Sequence, residues 1–283
     1  MFKVSIIVPI YRVEKFIEKC VHSLMKQTIQ DVEFIFVDDA SPDDSVALLE
    51  KTLKFYPDRI KQTKIIHHKK NQGLPAARNS GLAVATGEYI YHCDSDDFVE
   101  PDMLESMYNA AKKNNADFVW SDWYLSYQNT ERYMKQPDFT TPMEALKGML
   151  ADEMKFNVWN KLVKREVYVK NDILFPSGYS MGEDMTMIRL IACSERVAYV
   201  SKAFYHYVKT NAEAMSLTLN ERYLTDIRHN VNLTLRFLEE RGYTNLQQDF
   251  AFFKLNIKLP FLISLDYNNY NLEKSKRVTL YSI

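Results

Sequence analysis

Through about its first 125 residues the chain alternates short apolar runs with amphipathic segments, and this alternation restricts the fold more than any other feature. "VSIIVP" (Val4–Pro9) is a near-continuous apolar run, as a parallel strand covered on both faces must be. "VEKFIEKCVHSLMKQ" then places Phe16, Ile17, Cys20, Val21 and Leu24 at helical spacing. "VEFIFVDD" predicts a second strand. "SPDDSVALLEKTLKFY" predicts a second helix, with Ser41 as its N-cap and Pro42 at its first position. "TKIIHH" is a weaker third strand and "GLPAARNSGLAVA" a helix with Pro75 in its first turn. "GEYIYHC" is a fourth strand, "PDMLESMYNAAKKNN" a helix and "ADFVWSDWYL" a fifth strand. Such βαβα order specifies an α/β fold, a mostly parallel sheet with helices on both faces.

Beyond about residue 125 the alternation fades. "TPMEALKGMLAD" predicts a helix and "NVWNKLVKREVYVKNDI" a short strand or turn leading into a helix. "GEDMTMIRLIACSE" reads as an amphipathic helix with acids in its first turn, where the helix dipole favours them, and "RVAYVSKAFYHYV" as a β-rich run. From about Leu217 two long helices follow, broken near Gly242 and perturbed at Pro260. The expected organisation is an α/β half over 1–125, a second part of the same domain over 126–215 that closes the site, and a helical extension over 216–283.

A formal net charge of -1 gives no electrostatic footprint for nucleic acid. Three dispersed cysteines, Cys20, Cys93 and Cys193, argue against a disulfide framework or a zinc site and for a reducing compartment. No apolar run is long enough for a membrane span, so the expected location is the cytoplasm, with peripheral membrane contact open. The stripe in "FFKLNIKLPFLISL" reads first as core packing, with membrane contact or a homodimer interface as alternatives.

Acids gather at the ends of the strands. Asp38 and Asp39 close the second, and "YIYHCDSDDFVEP" carries Asp94, Asp96 and Asp97 directly after the fourth. Ligands of open α/β sheets bind beyond the carboxyl ends of the strands, so these acids share one edge where a site is expected. The spacing Asp94-Ser95-Asp96 suits a hard divalent cation held by one or two carboxylates plus phosphate oxygens. The plain alternative is a solvated acidic turn capping "PDMLES". "VPIYRVEKF" contains no glycine, which excludes the dinucleotide fingerprint, and no P-loop is present. Bound phosphate would therefore need a metal or basic side chains.

"VSIIVPIYRVEKFIEKCVHSLMKQT", "EFIFVDDASPDDS", "NQGLPAARNSGLAVATGEYIYHCDSDDFVEPDML" and "GEDMTM", in this order and spacing, resemble family 2 glycosyltransferases of the GT-A fold, polysaccharide-biosynthesis type. The resemblance implies a role for each matching position. Pro9, Tyr11 and Asp39 match the nucleoside pocket, with Glu14 either lining it or solvated in a first turn. Arg78 matches a basic residue facing the nucleotide, the alternative being an ion pair with the strand-end aspartates. Asp96 matches the principal Mn²⁺ or Mg²⁺ ligand, while Asp94 and Ser95 lie where the family contacts the sugar, ribose or metal. Asp97 is expected to cap the following turn, Asp38 to be a satisfied turn carboxylate, and Asn79 and Gly81 to pack the helix. Asp184 matches the acid that removes the acceptor's proton, with Glu183 beside it in the pocket. Trp159 and Lys161 offer a sugar-stacking wall and a diphosphate contact, or a packed ring and a solvated amine. His206 is a core residue or an extra metal ligand, and "FYHYVKTNAEAMS" a segment folding over the donor.

The implied reaction is metal-dependent, inverting transfer of a sugar from a nucleotide donor, UDP-linked in the first instance, to a hydroxyl of a saccharide or lipid-linked acceptor. A sugar-1-phosphate nucleotidyltransferase and an inactive nucleotide-sugar-binding protein are the rival readings. The first lacks its glycine- and lysine-rich loop after the first strand, and the second has no need of a base.

Overall fold

The computed structural model describes residues 1–209 and 221–267. Much of the expected donor-covering segment lies outside the described residues. The elements run β1 (Val4–Ile10), α1 (Ile17–Met25), β2 (Val32–Asp38), α2 (Ser45–Leu53), α3 (Pro57–Ile60), β3 (Thr63–His67), α4 (Leu74–Val84), β4 (Tyr89–His92), β5 (Phe98–Val99) and α5 (Met103–Asn114). They continue as β6 (Phe118–Ser126), β7 (Glu131–Met134), α6 (Pro142–Leu150), β8 (Lys161–Lys164), α7 (Arg165–Lys170), α8 (Thr186–Ile191), β9 (Val197–Val208), α9 (Glu221–Glu240) and α10 (Gln247–Tyr267).

The strands form one sheet in the order β3-β2-β1-β4-β8-β6-β9-β5, with β7 paired to β6. β1 and β2 are buried along their whole length, which is why both read as unbroken apolar runs. Their polar exceptions are paired. Ser5 Oγ donates to Glu33 Oε2 at 2.6 Å, and Glu33 also accepts from Lys64 Nζ at 2.7 Å and the Thr86 N–H at 2.8 Å. Buried polar groups without such partners would cost about 1–3 kcal/mol each.

Pairings β1–β2, β2–β3 and β1–β4 are parallel, so the chain winds outward from β1 through β3 and then returns to the other side of β1 at β4. That reversal is a topological switch point, and it opens a crevice off the carboxyl ends of β1 and β4. Beyond β4 the sheet is mixed. β8, from the second half of the sequence, enters between β4 and β6 and is antiparallel to both. β9 pairs in parallel with β6 across a bulge around Ser121 and Asp122, and antiparallel with the two-residue β5. The two halves expected from the sequence therefore share one sheet.

Local expectations change in two places. Helix α2 starts at Ser45, after the expected Ser41 cap. The Ser41 hydroxyl instead accepts from the Arg12 N–H at 2.8 Å and donates to Asp43 at 2.6 Å, so residues 41–44 form a hydrogen-bonded turn. "GEDMTMIRLIACSE" is not an amphipathic helix either. Glu183–Met185 form a 3₁₀ turn, and all six residues of α8 are buried between α6 and α9.

After a turn at Gly242 (φ +85°), α10 packs against α6. Phe250 and Phe253 point inward, while Phe252, Leu255 and Leu259 are exposed, so core packing accounts for only one side of that stripe. The side chains from Pro260 onward lie outside the described residues. No helix among those described is long and apolar enough to cross a membrane.

Candidate active site

Two non-glycine residues with left-handed backbone, Arg12 (φ +55°) and Ala40 (φ +56°), turn the chain just beyond β1 and β2. Such conformations cost of order 1–3 kcal/mol and cluster at ligand sites. Tyr11 is 40% exposed at the end of β1, with the Arg12 guanidinium 5.4 Å from its ring, while Pro9 is buried within the strand. Asp39 is buried and accepts from His68 Nδ1 at 2.7 Å and from the backbone N–H groups of Gln72 and Gly73, each at 2.8 Å. One carboxylate thus fixes the loop that enters α4. Asp38 accepts from the Ser41 N–H at 2.8 Å and from His67 at 3.0 Å, a satisfied turn carboxylate. Glu14 is exposed and accepts from the Asp44 N–H at 3.2 Å, which ties it to the start of α2.

Helix α4 carries the organising residue. Arg78 is 1% exposed, on a helix that packs against β1, with its Cζ 5.4 Å from the Phe175 ring. Its Nη2 donates to Asp94 Oδ1 at 2.9 Å; its Nη1 donates to Glu183 Oε1 at 3.0 Å and to Asp184 Oδ1 at 3.2 Å. Of the two roles open to Arg78, ion pairing with acids is the one the geometry displays, and the acids come from two distant parts of the chain. Asn79 pins the same helix to the segment before the acids, donating to the Phe175 carbonyl at 2.8 Å and accepting from the Phe175 N–H at 2.9 Å. Gly81 lies against Ile7, so it and Asn79 are packing residues.

The charges in this cluster shift one another. Burial works against the Arg78 cation, but Asp94, Asp184 and Glu183 outweigh it and hold its pKa above the ordinary value. Burial pushes both Glu183 and Asp184 up; the Asp184 charge adds to the effect on Glu183, and Arg78 opposes it in both. Two acids that share one donor nitrogen titrate as a pair. Lys161 is buried, neither solvated nor open to a diphosphate. Its Nζ donates to the Lys155 carbonyl at 2.8 Å and to Asn160 Oδ1 at 2.6 Å. Burial lowers its pKa to about 7, partly offset by Asp184.

Asp94 and Asp96 are half-buried just beyond the carboxyl end of β4, with Ser95 buried between them. The backbone beneath them is anchored, since the Asp94 N–H donates to the Tyr205 hydroxyl at 3.2 Å and the Cys20 and Cys93 thiols contact the Asp94 carbonyl. Asp97 does not cap the following turn. It is buried and accepts from the Tyr205 hydroxyl at 2.6 Å and the Val208 N–H at 2.7 Å, because β9 runs past it and needs a partner at its end. Burial and the neighbouring Asp96 and Asp94 charges push its pKa far up.

No cluster of three or more His, Cys, Asp or Glu side chains able to hold a metal occurs among the described residues. Two hard carboxylates without a third protein ligand fit a Mg²⁺- or Mn²⁺-type ion that completes its shell with phosphate oxygens and water. His206 is not a further ligand. Its ring is stacked on Phe98 and Tyr124, with Nε2 2.8 Å from Glu100 and Nδ1 2.7 Å from Glu131. Trp159 is likewise packed, stacked 4.4 Å from Tyr205 and 5.4 Å from Tyr207.

Tyr205 and His68, which hold the aspartates in place, went unassigned in the sequence. The aromatic run "FYHYV" and the doublet "HH" were visible, but nothing local marks which ring reaches which acid.

A family model described as Glycosyl transferase family 2 matches residues 5–177. Glycosyltransferase GlyG of Streptococcus pneumoniae serotype 4 is 28% identical over 237 residues, 79% of this chain and 76% of that protein. Poly(ribitol-phosphate) beta-glucosyltransferase of Bacillus spizizenii is 31% identical over 221 residues, 76% of this chain; the chain spans only 34% of that relative's length. Among solved structures, S. aureus TarS 1–349 in complex with UDP-GlcNAc matches with a TM-score of 0.71 at 24% identity, over 84% of this chain and 66% of that one. The shared architecture is the GT-A fold.

Proposed function

The chain belongs to glycosyl transferase family 2, and from that premise we propose that it moves a sugar from a UDP-linked donor to a hydroxyl of a saccharide or lipid-linked acceptor, with a divalent cation and with inversion at the anomeric carbon. The acceptor belongs to a growing cell-surface polymer. The poly(ribitol-phosphate) glucosyltransferase and the UDP-GlcNAc complex named above support the acceptor and donor classes.

In this reading Tyr11 and Asp39 border the nucleoside, and Asp94 and Asp96 hold Mn²⁺ or Mg²⁺. The ion, when bound, neutralises charge developing on the departing diphosphate. Asp184 accepts the proton of the acceptor hydroxyl as its oxygen bonds to the anomeric carbon and the bond to the diphosphate breaks. A single base implies attack from the face opposite the leaving group, hence inversion, by the logic of inverting glycosidases. Glu183 shares the Arg78 nitrogen with Asp184, and Arg78 holds both acids beside Asp94.

The observation that carries this reading is that one buried guanidinium joins an acid of the Asp94-Ser95-Asp96 motif to the Glu183–Asp184 pair. It supports reading Asp184 as a base beside the expected diphosphate site, where general base catalysis requires one. The test is a screen of nucleotide sugars for nucleotide release with Mn²⁺ or Mg²⁺, repeated with Asp184→Asn. Wild type should turn over one donor, and the variant should keep cation-dependent UDP binding while losing on the order of 100-fold or more in turnover. Release of pyrophosphate from a nucleoside triphosphate and sugar-1-phosphate would favour a nucleotidyltransferase. UDP binding with no turnover of any donor would leave a binding protein.

A further inference from the structure

We infer that α9, beyond the region matched by the family model, positions the catalytic acids through Asp226 and Asn230. Residues 179–182, which lead into Glu183, belong to no helix or strand. A segment with no ladder of its own must find partners for its backbone elsewhere. Here α9 supplies them. Asp226 Oδ2 accepts from the Ser180 N–H at 3.0 Å and the Met181 N–H at 3.4 Å. Asn230 Nδ2 donates to the carbonyls of Met181 at 2.8 Å and Tyr179 at 3.3 Å. The two side chains are four residues apart, hence on one face of the helix, and both are buried.

Both polar groups of Met181 are therefore taken by α9. Between them, the Tyr179 ring stacks on His229 at 3.6 Å. The next residue, Gly182, has φ +82° and packs against α9, where a Cβ would make an ordinary contact of 3.7 Å with Asn230 Cβ. The chain then turns directly into Glu183 and Asp184. On the far side, Ser180 Oγ abuts Gly73, whose N–H is held by Asp39. The segment is thus clamped between the nucleoside side of the crevice and α9, and its exit sets where the two acids meet Arg78. Asp226 and Asn230 do not touch the reacting atoms; they are positioning residues acting through the backbone of 179–182. The reaction's geometry consequently depends on a helix whose sequence carries none of its chemistry.

The inference rests on Asp184 being the base. The experiment uses the full chain and the nucleotide sugar chosen by the donor screen, comparing Asp226→Ala, Asp226→Asn and Asn230→Ala with Asp184→Asn. Each variant is measured for kcat and donor KM by nucleotide release, and for affinity and stoichiometry toward UDP with Mn²⁺ by calorimetry. Displacing the acids by about 1 Å should lower kcat roughly 10- to 100-fold in both alanine variants. Donor KM should stay within about threefold and UDP stoichiometry should be unchanged, since the nucleoside side is built without α9. Asp226→Asn, which keeps an acceptor oxygen, should recover much of the loss; a purely structural defect would give no such split or rescue.

The inference is overturned if the alanine variants keep wild-type kcat, or if both lose UDP-binding stoichiometry in step with turnover. If Asp226→Ala does not fold, Asn230→Ala, which removes only the two carbonyl contacts, decides alone. Should Asp184→Asn retain turnover, it is the assignment of the base that fails. Should Asp184→Asn be inactive while Asp226→Ala is fully active, this inference alone fails.

Discussion

Arg78 donates from both terminal nitrogens to three carboxylates, so removing its charge leaves Asp94, Glu183 and Asp184 facing one another in a buried setting. Breaking a buried ion pair from one side typically costs about 3–5 kcal/mol. Arg78→Met is therefore expected to lose about that much stability in urea unfolding and to lose turnover. Arg78→Lys should restore charge but not both bonds, because an ammonium is a point charge without a planar fork. The acid pair also fixes a pH dependence. Burial holds Glu183 and Asp184 above the ordinary carboxylate range, and a base must be ionised to act. The rate kcat/KM should rise with pH along a limb whose apparent pKa lies above about 4, the usual carboxylate value. Glu183→Gln should reduce that limb to a single ionisation, because it leaves Asp184 to titrate without its coupled partner. For stability the sign is opposite. Groups bound more tightly to protons in the folded state stabilise it fully below their unfolded pKa, and that contribution is lost as pH rises through the raised values. Thermal midpoints across the acid-to-neutral range would reveal it.

At the scale of elements, α4 does two tasks with adjacent residues. Arg78 binds the acids of the site, while Asn79 pins the helix to Phe175 and Gly81 lets it lie on β1. A Cβ at Gly81 would come 2.4 Å from Ile7 Cγ2, inside any real contact. Gly81→Ala should therefore cost about 1–3 kcal/mol by overpacking, read as a lower denaturation midpoint. It should also displace Arg78, which sits one turn earlier, so turnover should fall further than stability alone explains. The buried strands β1, β2 and β4 were legible because a strand covered on both faces must be apolar throughout. Helix α8 was not, since its acids and apolar residues mimic an amphipathic period although all six of its residues are buried, with α6 and α9 packed against it. The four-residue β7 and the two-residue β5 carry too few residues for any period to register.

For the molecule as a whole, the crevice at the switch point joins parts that are far apart in sequence, and a ligand bound there should stabilise all of them. A ligand at a hundredfold its Kd adds about 2.7 kcal/mol, and 1 kcal/mol shifts the midpoint of a domain this large by about 2–4 °C. UDP with Mn²⁺ should accordingly raise the melting temperature by roughly 5–10 °C. UDP with a chelator should do much less if Asp94 and Asp96 share the ion with the diphosphate. Equal shifts in both conditions would count against the proposed cation.

The sequence by itself determined the α/β class, the order of the first strands and the edge on which Asp39, Asp94 and Asp96 gather. Those features follow from periodicity and from where strands end, and both are local properties of the chain. Only the tertiary structure decided that Arg78 binds acids from two distant segments, that Asp97 and Tyr205 secure the end of β9, and that Lys161 is buried. It alone decided, too, that α9 holds the chain ahead of Glu183. The physical reason is that a charge or polar side chain finds its partner through space, once β8 has inserted between β4 and β6, and no spacing along the chain encodes that meeting.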